Sequence, residues 1–226
     1  MTRFSTQFLF LNVGHLFDHL AMLIFATVAA RFLAEAWNLT YDDLIPYGTA
    51  GLVAFGAFAL LAGWLGDKWS REGMMSVFFL GIGASTVATG FANTPLQIGA
   101  GLLAIGVFAA IYHPVGLAMV VEGRGRTGIP IAINGIYGNM GVALAALVTG
   151  VLIDIAGWRV AFFVPGAVCI AIGFAWMLFL RGGPVVAPAS VAEARPAAGA
   201  DIAPTRAALI HVFSIIFFTT AMGGLV

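Results

Sequence analysis

The chain has 226 residues, 61% of them apolar and only 9% charged, with ten basic and ten acidic side chains that sum to zero net charge. A soluble domain carries about 25% charged residues, so with a mean hydropathy of +1.02 most of this surface must face lipid. The balanced charge, without a basic run, excludes a nucleic-acid partner, and a single cysteine, Cys169, excludes an intrachain disulfide or a thiolate metal site and reads as a small core residue.

A membrane-crossing helix needs about 20 mostly apolar residues. The first predicted span covers residues 8–33. Arg3 ahead of it suggests a signal peptide, but His15, Asp18 and His19 interrupt the apolar run. A cleavable signal has a short, uniformly apolar centre, so this span is retained. An acidic loop with Glu35, Asp42 and Asp43 leads to the second span, 44–65, and Asp67-Lys68-Trp69-Ser70-Arg71 joins it to the third, 74–91. Asn93-Thr94-Pro95 precedes the fourth, 96–121; a segment with Arg124 and Arg126 precedes the fifth, 128–153; and a short turn precedes the sixth, 160–180. Residues 182–206, rich in alanine, proline and glycine, read as a linker, and 207–226 as a seventh span. That last span stops at Gly223-Gly224-Leu225-Val226 with no polar tail, which reads as a truncated chain.

Lysine and arginine set the orientation. With the amino terminus inside, the cytoplasmic side holds Arg3, Lys68, Arg71, Arg124, Arg126, Arg181, Arg195 and Arg206, against Arg31 and Arg159 outside. An internal echo accompanies this topology. Gly63-x-Leu65-x-Asp67 closes the second span and Gly150-x-Leu152-x-Asp154 the fifth, at opposite membrane faces, as an inverted repeat of two three-helix blocks requires.

Chemistry concentrates in the first span. Asn12, His15, Asp18, His19 and Met22 are spaced by threes and fours, so they share one helical face. A carboxylate and two imidazoles in hydrocarbon are costly unless they face a cavity or one another, and together they suit a proton relay. His113-Pro114 is a second polar feature: proline removes an amide donor and clashes with the carbonyl of Ala110, predicting a kink. Asn134 and Tyr137 on the fifth span are further cavity candidates, and Gly141, Ala145 and Thr149 form a small-residue packing stripe.

The segment Gly63-x-Leu65-x-Asp67-Lys68-x-Ser70-Arg71 resembles the loop between the second and third helices of major facilitator superfamily transporters, with Ser70 in place of a usual glycine and Glu72 in place of a usual basic residue. Tyr112-His113-Pro114-Val115-Gly116 and Gly135-x-x-Gly138-Asn139-Met140-Gly141-Val142-Ala143 resemble fosmidomycin-resistance-type exporters of that superfamily, and Gly157-Trp158-Arg159 is also similar to the superfamily. The fourth span lacks the mid-helix arginine of many proton-coupled members, and Leu144-Ala145-Ala146 stands where the antiporter proline would be.

The resemblance implies an all-α membrane protein: a six-helix amino-terminal half-bundle (1–181), a cytoplasmic linker (182–206) and the first helix of a second half (207–226). It further implies export of a small anionic solute across a bacterial inner membrane, without cofactor, and Asp18 with its neighbouring histidines would couple that export to protons. Gly63, Asp67, Lys68 and Arg71 would act as a conformational latch, and the partner would be a carboxy-terminal half or a second copy. Two alternatives stay open. His15, Asp18, His19 and His113 offer nitrogen and oxygen ligands for divalent-metal transport, or for an intramembrane metal-dependent hydrolase, although no His-Glu-x-x-His motif is present and no resident metal is assigned.

Overall fold

The computed structural model describes residues 2–186. The seventh segment, most of the linker, Arg195 and Arg206 lie outside the described residues. Within them, six helices are long and apolar enough to cross a membrane: α1 (Arg3–Ala36), α2 (Tyr41–Lys68), α3 (Arg71–Thr89), α4 (Pro95–Val121), α5 (Gly128–Ala156) and α6 (Val160–Leu180). No strand occurs among the described residues.

Several helices run past the hydropathic spans because polar residues form their first turns. The leading amides of a helix need acceptors. Thr2, Ser70 and Thr94 supply side-chain oxygens to the amides of Ser5, Gly73 and Gln97. Thr40 and Asp43 cap α2 reciprocally. Gly157, at φ +86°, ends α5 in a conformation that favours glycine.

Lipid offers little hydrophobic drive between helices, so association depends on close backbone packing. The strongest pairings are α1 with α5, α2 with α4 and α3 with α6. Exchanging α1 with α4, α2 with α5 and α3 with α6 maps this set onto itself. The two three-helix blocks are therefore packed as inverted equivalents, as the Gly-x-Leu-x-Asp echo anticipates. At the α2–α4 crossing a Cβ on Gly51 would lie 2.6 Å from the Leu102 carbonyl oxygen, and one on Gly106 would run into the Gly51 carbonyl. At the α1–α5 crossing Gly141 meets the Leu16 carbonyl in the same way, and Ala145 and Thr149 continue the buried stripe. Cys169 is buried and points its thiol at the Phe79 carbonyl of α3.

Two helices depart from regular geometry. α4 breaks at Ala110-Ile111 and passes through a wide π-helical turn, Tyr112–Gly116, around Pro114, which has no amide hydrogen to give. The kink expected at His113-Pro114 is present. A second such turn, Ala29–Leu33 in α1, has no proline and was not signalled by the sequence.

Arginines finish the helix ends. Arg3 donates to the Phe179 and Gly183 carbonyls at the end of α6, and Arg159 to those of Gly90 and Ala92 at the end of α3. A cation is favourable at each of these carboxyl ends.

Candidate functional site

The polar residues of α1 meet α4 and α5 about midway along the first helix. Asn134 of α5 is buried, and its amide donates to Asn12 Oδ1 at 2.9 Å and to the Tyr112 hydroxyl at 2.8 Å. The Tyr112 hydroxyl in turn donates a hydrogen bond to the Leu11 carbonyl, 2.7 Å away. Three helices are thereby tied by a closed set of hydrogen bonds that leaves few polar groups facing hydrocarbon.

His15 rests on this network. Its ring stacks on Tyr112 with centroids 4.8 Å apart, and Nδ1 lies 2.8 Å from the Asn134 backbone carbonyl. A carbonyl only accepts, so Nδ1 carries the hydrogen and Nε2 is left as the outward nitrogen. His19 follows one turn later, with its Nε2 3.2 Å from that of His15. From α4, His113 sets its ring edge-on to both, and Phe55 of α2 closes the fourth side. The donor atoms of the three histidines all lie within 4.8 Å of one another.

Asp18 sits behind them with no exposed surface. Its Oδ2 is 3.4 Å from His113 Nδ1, an ion-pair distance, yet neither carboxyl oxygen has a donor in hydrogen-bond geometry among the described residues. The spacing by threes and fours predicts that Asp18 shares one face of α1 with His15 and His19. Instead the imidazoles reach the open face (the His113 side chain is 43% exposed) and screen the acid from it. The reason is the helical turn: Asp18 is rotated from the His15–His19 line toward α4. Met22, one turn beyond His19, lines an apolar cavity with Phe25, Gly48 and Leu102.

Of the expected residues, Asn12, His15, Asp18, His19, Tyr112, His113 and Asn134 are brought together. Tyr137 is not: it is half-buried and makes no hydrogen bond among the described residues. Gly138 was read only as part of a motif, but any Cβ there would stand 2.6 Å from the His15 ring. Its spacing from Gly135 and Gly141 carried that signal. Phe55 carried none.

The loop after α2 forms a second polar group. Arg71 donates to Asp67 at 2.9 Å and approaches Glu122, at the end of α4, at 3.7 Å. Asp67 therefore pairs with Arg71, while Ser70 caps the first amides of α3. Lys68 is exposed and in no ion pair among the described residues, and Gly63 packs on Pro114 of the broken helix. At the opposite end of the bundle Arg31 grips Asp154 with two contacts, 2.8 and 3.4 Å, a pair the sequence did not signal.

The chain matches the Major Facilitator Superfamily over residues 11–226. It belongs to that family. The superfamily chain is 29% identical over 189 residues to a probable sulfoacetate transporter of Cupriavidus necator, an alignment covering 80% of this chain and 43% of that protein. It is 30% identical over 125 residues to a puromycin resistance protein of Streptomyces alboniger, covering 54% and 25%. A 46-residue stretch is 50% identical to a probable hexose phosphate transport protein of Chlamydia muridarum, covering 20% and 10%. The chain spans less than half the length of these relatives. As a superfamily member with six helices among the described residues that are long and apolar enough to cross a bilayer, it is a multi-pass membrane protein.

Proposed function

We propose that this chain supplies the amino-terminal half of a proton-coupled transporter that exports a small organic anion by alternating access, with Asp18 as the proton carrier. The observation that carries the reading is a carboxyl with no exposed surface whose nearest polar neighbour is a half-exposed histidine. An unpaired charge in such a place is expensive. Loading or unloading a proton at Asp18 must therefore be tied to movement of His113 or to opening of the site, which is what coupling requires. His15 and His19 continue the relay toward the open face, and Asn12, Tyr112 and Asn134 hold the helices in register around it.

Sulfoacetate and hexose phosphates, named for two of the relatives, are both anions, which favours an anionic solute. Outward direction follows the resemblance to fosmidomycin-type exporters. Among the described residues, Arg3, Lys68, Arg71, Arg124, Arg126 and Arg181 flank the membrane on the amino-terminal side, against Arg31 and Arg159 on the other. That bias favours a cytoplasmic amino terminus in a bacterial inner membrane. Asp67, Arg71 and Gly63 form the latch with Glu122, and residues 207–226 begin the second half, unless a second copy of the chain fills that place.

The reading is tested in membrane vesicles containing the protein, with labelled sulfoacetate as probe. With the carboxy-terminal half, or a second copy of the chain, present in the same vesicles, an imposed pH gradient is expected to drive flux when the native sequence is used. Asp18→Asn is expected to lower that flux at least tenfold with membrane insertion intact. Unchanged pH-driven flux in the variant removes Asp18 from the mechanism.

A further inference from the structure

We propose that His15, His19 and His113 form a binding site for a divalent transition metal, zinc foremost. His15 and His19 are one turn apart on a continuous stretch of α1, so both rings leave the same face. This His-x-x-x-His spacing lets a single helix give two ligands to one ion. Their Nε2 atoms are 3.2 Å apart. A tetrahedral zinc holding nitrogens at about 2.0–2.1 Å sets those nitrogens about 3.3 Å from one another. Two of the ligands are thus already spaced for the ion.

The third comes from the wide turn of α4. All three donor atoms fall within 4.8 Å of each other, so a small movement of the His113 ring completes a three-nitrogen set of the kind zinc takes. The surroundings select the nitrogen that each ring presents. His15 gives its Nδ1 hydrogen to the Asn134 carbonyl, and His113 turns Nδ1 toward the Asp18 carboxyl at 3.4 Å. Metal-bound imidazoles regularly donate their second N–H to a backbone carbonyl or a carboxylate in this way. Asp18 also places a carboxyl behind the site, where a dication inside hydrocarbon needs negative charge. The His113 side chain is 43% exposed, so an ion can reach the cluster from outside the bundle. Three neutral nitrogens suit zinc, cobalt, nickel or copper, and suit magnesium or calcium poorly.

This inference goes beyond the transport reading and does not depend on it. The test uses the full chain, purified in detergent without a histidine tag at fixed pH, and titrated with cobalt(II). One equivalent is expected to bind and give the visible bands of a tetrahedral ion, and one equivalent of zinc is expected to displace it. His19→Gln and His113→Gln are each expected to weaken binding at least tenfold, while Glu35→Gln, at an exposed helix end, leaves it unchanged. X-ray absorption of the zinc-loaded native protein gives a check that needs no variant: a nitrogen shell with three imidazoles is expected. Absence of stoichiometric binding, unaltered affinity in the His15→Gln/His19→Gln double variant, or a shell with fewer than three imidazoles overturns the site. Loss of proton coupling in Asp18→Asn bears on the transport reading alone.

Discussion

A side-chain amide brings two hydrogens and an oxygen that want partners, and inside a bundle those partners must come from neighbouring helices. Asn134 finds them in Asn12 and Tyr112, and its backbone carbonyl fixes His15. Hydrogen bonds between membrane helices contribute about 0.6 kcal/mol on average and up to about 1.7. Asn134→Ala removes two, so it is expected to cost about 1–2 kcal/mol and lower the melting temperature in detergent by several degrees. Because the contact to His15 is made by the main chain, cobalt affinity in the same variant is expected to change less than tenfold. These residues were legible to different degrees for physical reasons. His15, Asp18 and His19 stand out because ionisable groups are rare in an apolar run, and His113 because proline marks the break beside it. Phe55 was invisible, being one apolar residue among many. Tyr137 looked like a companion of Asn134, but three residues turn a helix short of a full revolution, while Gly138, Gly141 and Ala145 follow the buried face.

Between elements, glycine does the work that a ridge of larger side chains does in water. The α2–α4 crossing leaves no room for a Cβ on Gly106 against the Gly51 carbonyl, and the obstacle is backbone, which cannot rotate away. Overpacking costs about 1–3 kcal/mol, so Gly106→Val is expected to destabilise the bundle, read as a lower detergent melting temperature. Gly56→Val, at a position with open space around the Cβ, is expected to be tolerated. The ion pairs at the helix ends belong to a different class. An exposed pair contributes at most about 1 kcal/mol to stability, yet that amount shifts a two-state equilibrium about fivefold. Arg31→Gln and Asp154→Asn are therefore expected to leave the melting temperature nearly unchanged while altering the transport rate severalfold in vesicles. Equal loss of stability and rate would make the pair purely structural. The six spans were readable from hydropathy, and their ends were misjudged by a few residues because capping turns are polar. Glu122 as a partner of Arg71, and Arg31 as a partner of Asp154, depend on which helix ends lie side by side, which no local pattern encodes.

At the scale of the molecule, the inverted pairing of two three-helix blocks brings α1 and α4, the equivalent first helices of the blocks, together at the polar cluster. Asp18 and the three histidines of the described spans gather there, on a face where the histidines are partly exposed, while α6 presents residues such as Phe174 and Leu178 outward. The transport reading requires that the histidine face meet water and the α6 face meet lipid. In a Cys169→Ala background, single cysteines replacing His19, His113 or Phe174 can be timed against a water-soluble maleimide in intact membranes. His19→Cys and His113→Cys are expected to react at least tenfold faster than Phe174→Cys, which is 56% exposed on the bundle but directed at acyl chains. Equal rates at the three positions would mean that the imidazole cluster faces no aqueous pathway, and would contradict the account.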